Sequence, residues 1–236
     1  MLAFNQGGFH MAISENDFLK VSFSVFDGDR MVETTREDEA KKAGIYDANM
    51  KYKDSLIILS DQHIIKGFRN ALKNSKENEE SKAEIKSADA FGSRKEELVR
   101  LVPLQRFSHE GISPAAGMPV SLDGARGRVQ SVSGGRVRVD LNHELAGKDV
   151  VYNFKITKCI SSSEEKLNAL LSEYLELENA ATLKDGIAEI SVPQDALMKE
   201  DYLNRKYAII DSAMLFVPEI KNLRWTENFD RKETKS

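Results

Sequence analysis

Residues 93 to 148 constrain this chain most, because their texture breaks with what lies on either side. Pro103, Pro114 and Pro119 fall inside the stretch, seven glycines lie between Gly111 and Gly147, and the apolar runs are short. Proline removes a ladder donor and glycine admits positive φ, so short strands joined by tight turns are what such a stretch can build. RVQSV and RVRVDL flank Ser133-Gly134-Gly135, a hairpin signal, since glycines take the positive-φ turn positions at little steric cost. The segment therefore reads as a small all-β module.

Strand-like runs bracket it. Val21 to Phe26 (VSFSVF) alternates, with Val21, Phe23 and Val25 on one face and serines on the other, before the turn DGDR. This predicts a half-buried strand entering a hairpin. Val150 to Ile156 (VVYNFKI) places Tyr152 and Phe154 on one face and Val151, Asn153 and Lys155 on the other. Between them, EDEAKKAG (37–44) predicts a short polar helix closed by Gly44, and SLIIL (55–59) a strand buried on both faces. Residues 61–74 predict a helix with Ile64, Ile65, Phe68, Ala71 and Leu72 on its apolar side and Asn74 as its stop. Lys73 to Ser87 carries both charges freely and reads as a solvated loop and strand edge.

Past SSSEEK, where Ser162 or Ser163 can cap a helix, Leu167, Leu170, Leu171, Tyr174, Leu175 and Leu177 make an apolar helix face. Residues 187–192 read as a strand, Asp201 to Val217 as a helix closed by Pro218, and 222–229 as a strand with Leu223, Trp225 and Phe229 on one face. The αβαβ order predicts a separate C-terminal α/β domain, with self-association or partner binding its expected contribution. The tail RKETKS is expected to be disordered.

Composition narrows the chemistry. Lys and Arg number 34 and Asp and Glu 38, a formal net charge of -4, so no global attraction to phosphate or anionic lipid exists. Nucleic acid is a disfavoured partner and a membrane is none. No apolar run approaches the ~18 residues of a span, the opening MLAFNQGGFHMAISEND lacks a signal pattern, and Met11 is an alternative start; a cytoplasmic location is expected. The single cysteine, Cys159, excludes an intrachain disulfide and a cysteine-built zinc site. His10, His63, His109 and His143 contain no i, i+4 pair, and neither a G-x-S-x-G elbow nor a Walker loop is present. No metal and no cofactor are expected. Whatever the chain does must work without clustered acids, bases or metals.

Glu33-Thr34-Thr35 after the first strand, then EDEAKKAGIYD, HIIKGFRNAL, DAFGSRKEELVRLVPLQRF and VRVDLNHELAGKDVVYNF stand in an order and spacing that resemble the archaeal FKBP-type peptidyl-prolyl cis-trans isomerases. The narrower resemblance is to long-type, SlyD-like members, in which an insert-in-flap chaperone domain interrupts the isomerase domain. The run at 137–147 is its most specific element. The resemblance implies an α+β fold: an FKBP-like antiparallel sheet wrapped on a short helix (11–92 plus 149–159), an inserted small β domain (93–148) and the C-terminal α/β domain (160–236). It implies a folding helper acting on unfolded or proline-containing polypeptides, without a cofactor. Rotation about X-Pro faces a barrier of ~18–20 kcal/mol from amide resonance, and about 4 kcal/mol of preference for the twisted amide gives a thousandfold. An apolar pocket that dries the carbonyl can supply it. Two other classes stay open: a non-catalytic holdase, and a ribosome- or RNA-associated adaptor.

Carried over residue by residue, the resemblance assigns the pocket to Val25, Val32, Glu33, Ile64, Ile65, Phe68, Phe91 and Tyr152. Without it, the apolar members read as ordinary core. Three positions depart from the family: Glu33 replaces Asp, Phe91 replaces the Tyr whose hydroxyl donates to a bound carbonyl, and Val25, or Phe23 two residues earlier, replaces a first-strand Tyr. Weakened catalysis is the expectation. In the insert, Leu101, Val102, Leu104, Phe107, Met118 and Val120 are many apolar residues for so small a module, and an exposed patch for unfolded chains is expected of them. Arg126, Arg128, Arg136 and Arg138 flank the hairpin, and alternation can bring them to one face.

Overall fold

The computed structural model describes residues 13 to 229; the alternative start at Met11 and the tail RKETKS lie outside the described residues. In chain order the elements are β1 (Phe18–Asp27), β2 (Arg30–Thr34), α1 (Glu37–Ala43), β3 (Ser55–Ile58), α2 (Lys66–Lys73), β4 (Glu80–Ile85), β5 (Val99–Pro103), α3 (Leu104–His109), β6 (Pro119–Leu122), β7 (Ala125–Ser133), β8 (Arg136–Asp140), β9 (Val150–Ile160), α4 (Ser163–Leu175), β10 (Ala181–Lys184), β11 (Ile187–Val192), α5 (Gln194–Leu197), α6 (Tyr202–Phe216) and β12 (Asn222–Glu227). They make a mixed α/β protein of three sheets.

The alternation read in VSFSVF organises the largest sheet. β1 pairs with β9 on one edge, and β2 and β3 share the other; β4 lies beyond β9, and every pairing is antiparallel. Val21, Phe23 and Val25 stand opposite Ile156, Phe154 and Tyr152, so the apolar faces of two strands form one surface. α2 packs there through buried Phe68 and Leu72. Gly67 permits this approach: a Cβ at that position would overlap Ile85 Cγ2 and lie 3.2 Å from the Asp89 carbonyl oxygen. The helix itself begins at Lys66, later than the pattern over 61–74 predicted, because Asp61, Ile64 and Ile65 form the turn that leads into it.

The serine face corrects the expectation of a half-buried strand, since Ser24 is 1% exposed and Ser22 8%. Small hydroxyls are buried there because partners meet them. Ser24 Oγ and Thr34 Oγ1 lie 2.7 Å apart, Ser24 donates to Glu39, and Arg36 donates to Ser22 Oγ at 2.8 Å and to Glu39 at 2.9 Å. Burial alone would raise the Glu39 pKa, but the hydrogen bonds from Ser24 and Arg36 and the Arg36 charge outweigh it and hold the carboxyl below its ordinary value. Gly44, at φ +69°, ends α1 as read.

The stretch between β4 and β9 folds as its own four-stranded sheet, in the order β5-β8-β7-β6, around Val102, Phe107, Leu122, Val129, Val137 and Val139. It is not all-β, because LQRFSH forms α3 after Pro103 and plants Phe107 in that core. Gly134 and Gly135, at φ +57° and +70°, make the expected hairpin turn.

The four elements read in the C-terminal segment form as α4, β11, α6 and β12, with β10 and α5 added. A hairpin of β10 and β11 precedes α5 and α6, and β12 returns parallel to β11, leaving Phe229 outside the strand and exposed. Nor is its core separate: Phe18, Ile58 and Ile160, from three strands of the large sheet, cluster with Leu167, Leu170, Leu171, Ile190 and Ile209. The buried Lys166 places its ammonium 5.7 Å from the Phe18 ring centroid. Ser162 is the cap of α4, accepting from the Glu165 amide.

Candidate functional site

The proposed pocket residues split into a packed floor and an accessible rim. On the floor, the Phe68 and Tyr152 rings stack with centroids 4.2 Å apart, Phe23 meets Phe68 edge-on at 5.7 Å and Tyr152 at a tilt at 5.8 Å, and Phe154 closes the far side at 5.3 Å from Phe68. Phe68 and Tyr152 are 4% and 6% exposed. Aromatic pairs in such stacked and edge-on arrangements are rigid and apolar. Val25 is fully buried in the same cluster, between Glu33 on β2 and Tyr152 on β9. Of the two registers read for the first strand, Phe23 thus supplies the aromatic and Val25 the spacer.

Val32, Ile64, Ile65 and Phe91 are only partly buried and pack against this cluster from the rim. The pairing register shifts between Val25 and Phe26, with Glu33 opposite Val25 and Met31 opposite Phe26, so Val32 is the extra residue of a β-bulge. A bulge re-aims side chains out of strict alternation, and here Val32, Glu33 and Thr34 line one cavity of about 350 Å³, together with Tyr52, His143 and Leu145. The sequence carried no signal for the bulge.

Charge on this rim is sparse. Glu33 makes no ion pair or hydrogen bond among the described residues; burial raises its pKa, and His143 partly opposes the rise. Tyr152 is pushed upward by burial first and by the Glu33 charge second, so its phenol stays protonated throughout the working pH range. Its hydroxyl makes no hydrogen bond among the described residues.

His143, read only as one of four scattered histidines, stacks on Phe91 with centroids 4.1 Å apart and planes 3° from parallel. Its Nδ1 accepts from the Leu145 amide. The signal was present, since His143 lies inside the most specific motif. That motif runs from the four-stranded sheet to the core of the large sheet. Val137 and Val139 fill the insert core, Asp140 pairs with Arg94, and Asn142 exchanges hydrogen bonds with Lys95 at 2.8 and 2.9 Å. Leu145 is buried in the core of the large sheet, and the Gly147 amide donates to the Gly92 carbonyl at 2.7 Å.

The residues expected to form an apolar chaperone face do not share one. Val102 and Phe107 are buried in the insert core, and Leu104, Met118 and Val120 are partly buried against it. The module encloses more than its size suggested because α3 covers one side of the sheet. Leu101 alone is exposed, at 62%. The arginines do share a face: Arg126 and Arg128 on β7 and Arg136 and Arg138 on β8 are exposed on the side opposite Val129, Val137 and Val139. Arg128 donates to the Gly117 carbonyl and Arg138 to Gln130. Among the described residues no group of three or more potential ligands is placed to hold a metal ion, and no helix is long and apolar enough to cross a membrane.

Comparison with known proteins gives a family match and matches to curated proteins. The family described as FKBP26, IF domain, matches residues 100–145. A short-type peptidyl-prolyl cis-trans isomerase from Methanocaldococcus jannaschii is 28% identical over 144 residues, covering 61% of this chain and 92% of that protein. The FKBP-type peptidyl-prolyl cis-trans isomerase SlyD of Helicobacter pylori is 27% identical over 136 residues, covering 56% of this chain and 72% of that one.

Proposed function

We propose, from the premise that these matches support the FKBP-type peptidyl-prolyl isomerase family, that the chain isomerises X-Pro bonds against the floor of Phe23, Phe68 and Tyr152. The observation that carries this reading is the stacked aromatic cluster with an accessible rim of Val32, Ile64, Ile65 and Phe91. A prolyl ring laid on that surface loses water on one side, and the amide carbonyl before it enters a zone bordered by Glu33 on β2. Desolvation weakens the hydrogen bonds that favour the planar, charge-separated amide, so the twisted state gains relative to the ground state. No bond breaks, no proton moves, and no cofactor is required.

The domain division proposed with it is 11–92 plus 149–159 for the isomerase, 93–148 for the insert and 160–236 for the C-terminal segment. The insert is proposed to hold unfolded chains beside the rim, supported by the match at 100–145 and the exposed Leu101. Holding a client there raises the local concentration of its prolines, to about millimolar for a short flexible tether. Catalysis is proposed to be weakened by the departures from the family pattern at Val25, Glu33 and Phe91. Polypeptide clients in the cytoplasm belong to the same reading, as does self-association through exposed Leu203, Tyr207 and Met214 on α6, which light scattering of the full chain would detect. An RNA or ribosome adaptor has less support, since two of the four arginines are already engaged within the insert.

Catalysis of a proline tetrapeptide tests the reading. A rate above the uncatalysed one, reduced at least tenfold by Phe68→Ala in a folded variant, is expected; aggregation suppression without any catalysis would favour the holdase instead.

A further inference from the structure

We propose that the Tyr152 hydroxyl is the donor that anchors a carbonyl of the bound prolyl peptide, the job that the family resemblance gives to a tyrosine at position 91. The inference rests on the reading above for the identity of the ligand. Its basis is a polar atom with nothing to do. Tyr152 is 6% exposed, its ring is fixed against Phe68 and Phe23, and yet its hydroxyl makes no hydrogen bond among the described residues. Buried tyrosines ordinarily find a partner for the hydroxyl. Phenylalanine would fill the floor equally well, as Phe23 and Phe154 do beside it.

The surroundings favour donation. Tyr152 stands opposite Val25, which in turn stands opposite Glu33, so the two side chains share one row across three strands. Glu33 is within electrostatic reach of the phenol and makes no hydrogen bond with it. A negative neighbour keeps the phenol neutral and able to donate. Phe91 cannot do this work, being a hydrocarbon ring held flat against His143.

Which carbonyl is anchored follows from the chemistry of the twist. The carbonyl of the rotating amide must stay dry, because a hydrogen bond to it favours the planar ground state. The hydroxyl therefore serves a carbonyl flanking the rotating bond. Such a bond is made equally before and during rotation, so its loss appears in KM and in affinity and leaves kcat nearly unchanged.

The test uses the full chain and a blocked Ala-Leu-Pro-Phe tetrapeptide, titrated by NMR and assayed for isomerisation. Tyr152→Phe is expected to weaken binding and raise KM by roughly three- to tenfold, with kcat within about twofold. As a second measurement, a ¹³C-labelled carbonyl flanking the prolyl amide should show an infrared shift on binding the wild type that is reduced in Tyr152→Phe. Unchanged affinity together with an unchanged band would overturn the assignment, and so would a loss confined to kcat. Peptide binding by a wild type that shows no catalysis would instead count against the isomerase reading, while the affinity and infrared arms still decide the donor.

Discussion

Gly67 shows how much of this site depends on one missing methyl. Its Cβ would overlap Ile85, so Gly67→Ala should cost about 1–3 kcal/mol through overpacking, against a helix-propensity gain of about 1 kcal/mol. Urea unfolding should show a net loss, and the displaced Ile64, Ile65 and Phe68 should lower kcat/KM; a more stable variant would show that α2 has room to move. Phe91→Tyr adds the hydroxyl that the resemblance places there; with Tyr152 already supplying a donor it should change kcat/KM on a tetrapeptide by less than about twofold, and in a Tyr152→Phe background it should raise kcat/KM by about two- to tenfold. No recovery in that background with the fold intact would mean that position 91 does not reach the carbonyl that Tyr152 anchors. Glu39 supplies a pH signature. Its folded pKa is held below 4.5, so its contribution is present above the ordinary carboxylate value and is lost as pH falls through the depressed one. Glu39→Gln should lower urea stability at pH 7 and narrow the difference between pH 7 and pH 3; an unaltered difference would place the acid sensitivity elsewhere. Most rim and floor residues were legible because each is apolar in an ordered motif. The bulge at Val32 and the stack of His143 on Phe91 were not, because both arise from pairings between segments far apart in the chain.

At the scale of elements, periodicity located β1, α1, β9 and the Gly134-Gly135 hairpin, where local pattern and tertiary burial agree. It failed where burial comes from the far side of the sheet. The serines of β1 look solvent-facing in a two-residue repeat, yet Thr34, Arg36 and Glu39 cover them. α3 was missed because a six-residue helix between Pro103 and a glycine-rich stretch has too few turns to show a period. The segment at 137–147 has its own test: Leu145 is buried in the large sheet's core rather than in the insert, so Leu145→Ala should cost about 2–5 kcal/mol. A cost below about 1 kcal/mol would mean that this segment does not reach that core.

For the molecule as a whole, the two boundaries differ physically. The one near residue 160 crosses a continuous core, and ending the chain there would expose Phe18 and Ile160, which are 0% and 2% exposed in the intact protein. Truncation should therefore lower the melting temperature of the remaining sheet; an equally stable fragment would restore the separate domain that the αβαβ order suggested. The insert instead has its own sheet and core and joins through a neck closed by Gly92, Gly147, Lys95 and Asn142. It can be excised between Lys95 and Asn142 with a short glycine linker, which keeps His143 and Leu145 in place. The most direct measurement of the division of labour proposed here compares this excised protein with the full chain in two assays, tetrapeptide isomerisation and proline-limited refolding of a denatured protein. The account predicts tetrapeptide rates within about twofold and a sharp loss, at least tenfold, in refolding catalysis. Equal loss in both assays, with circular dichroism showing the excised protein folded, would contradict it.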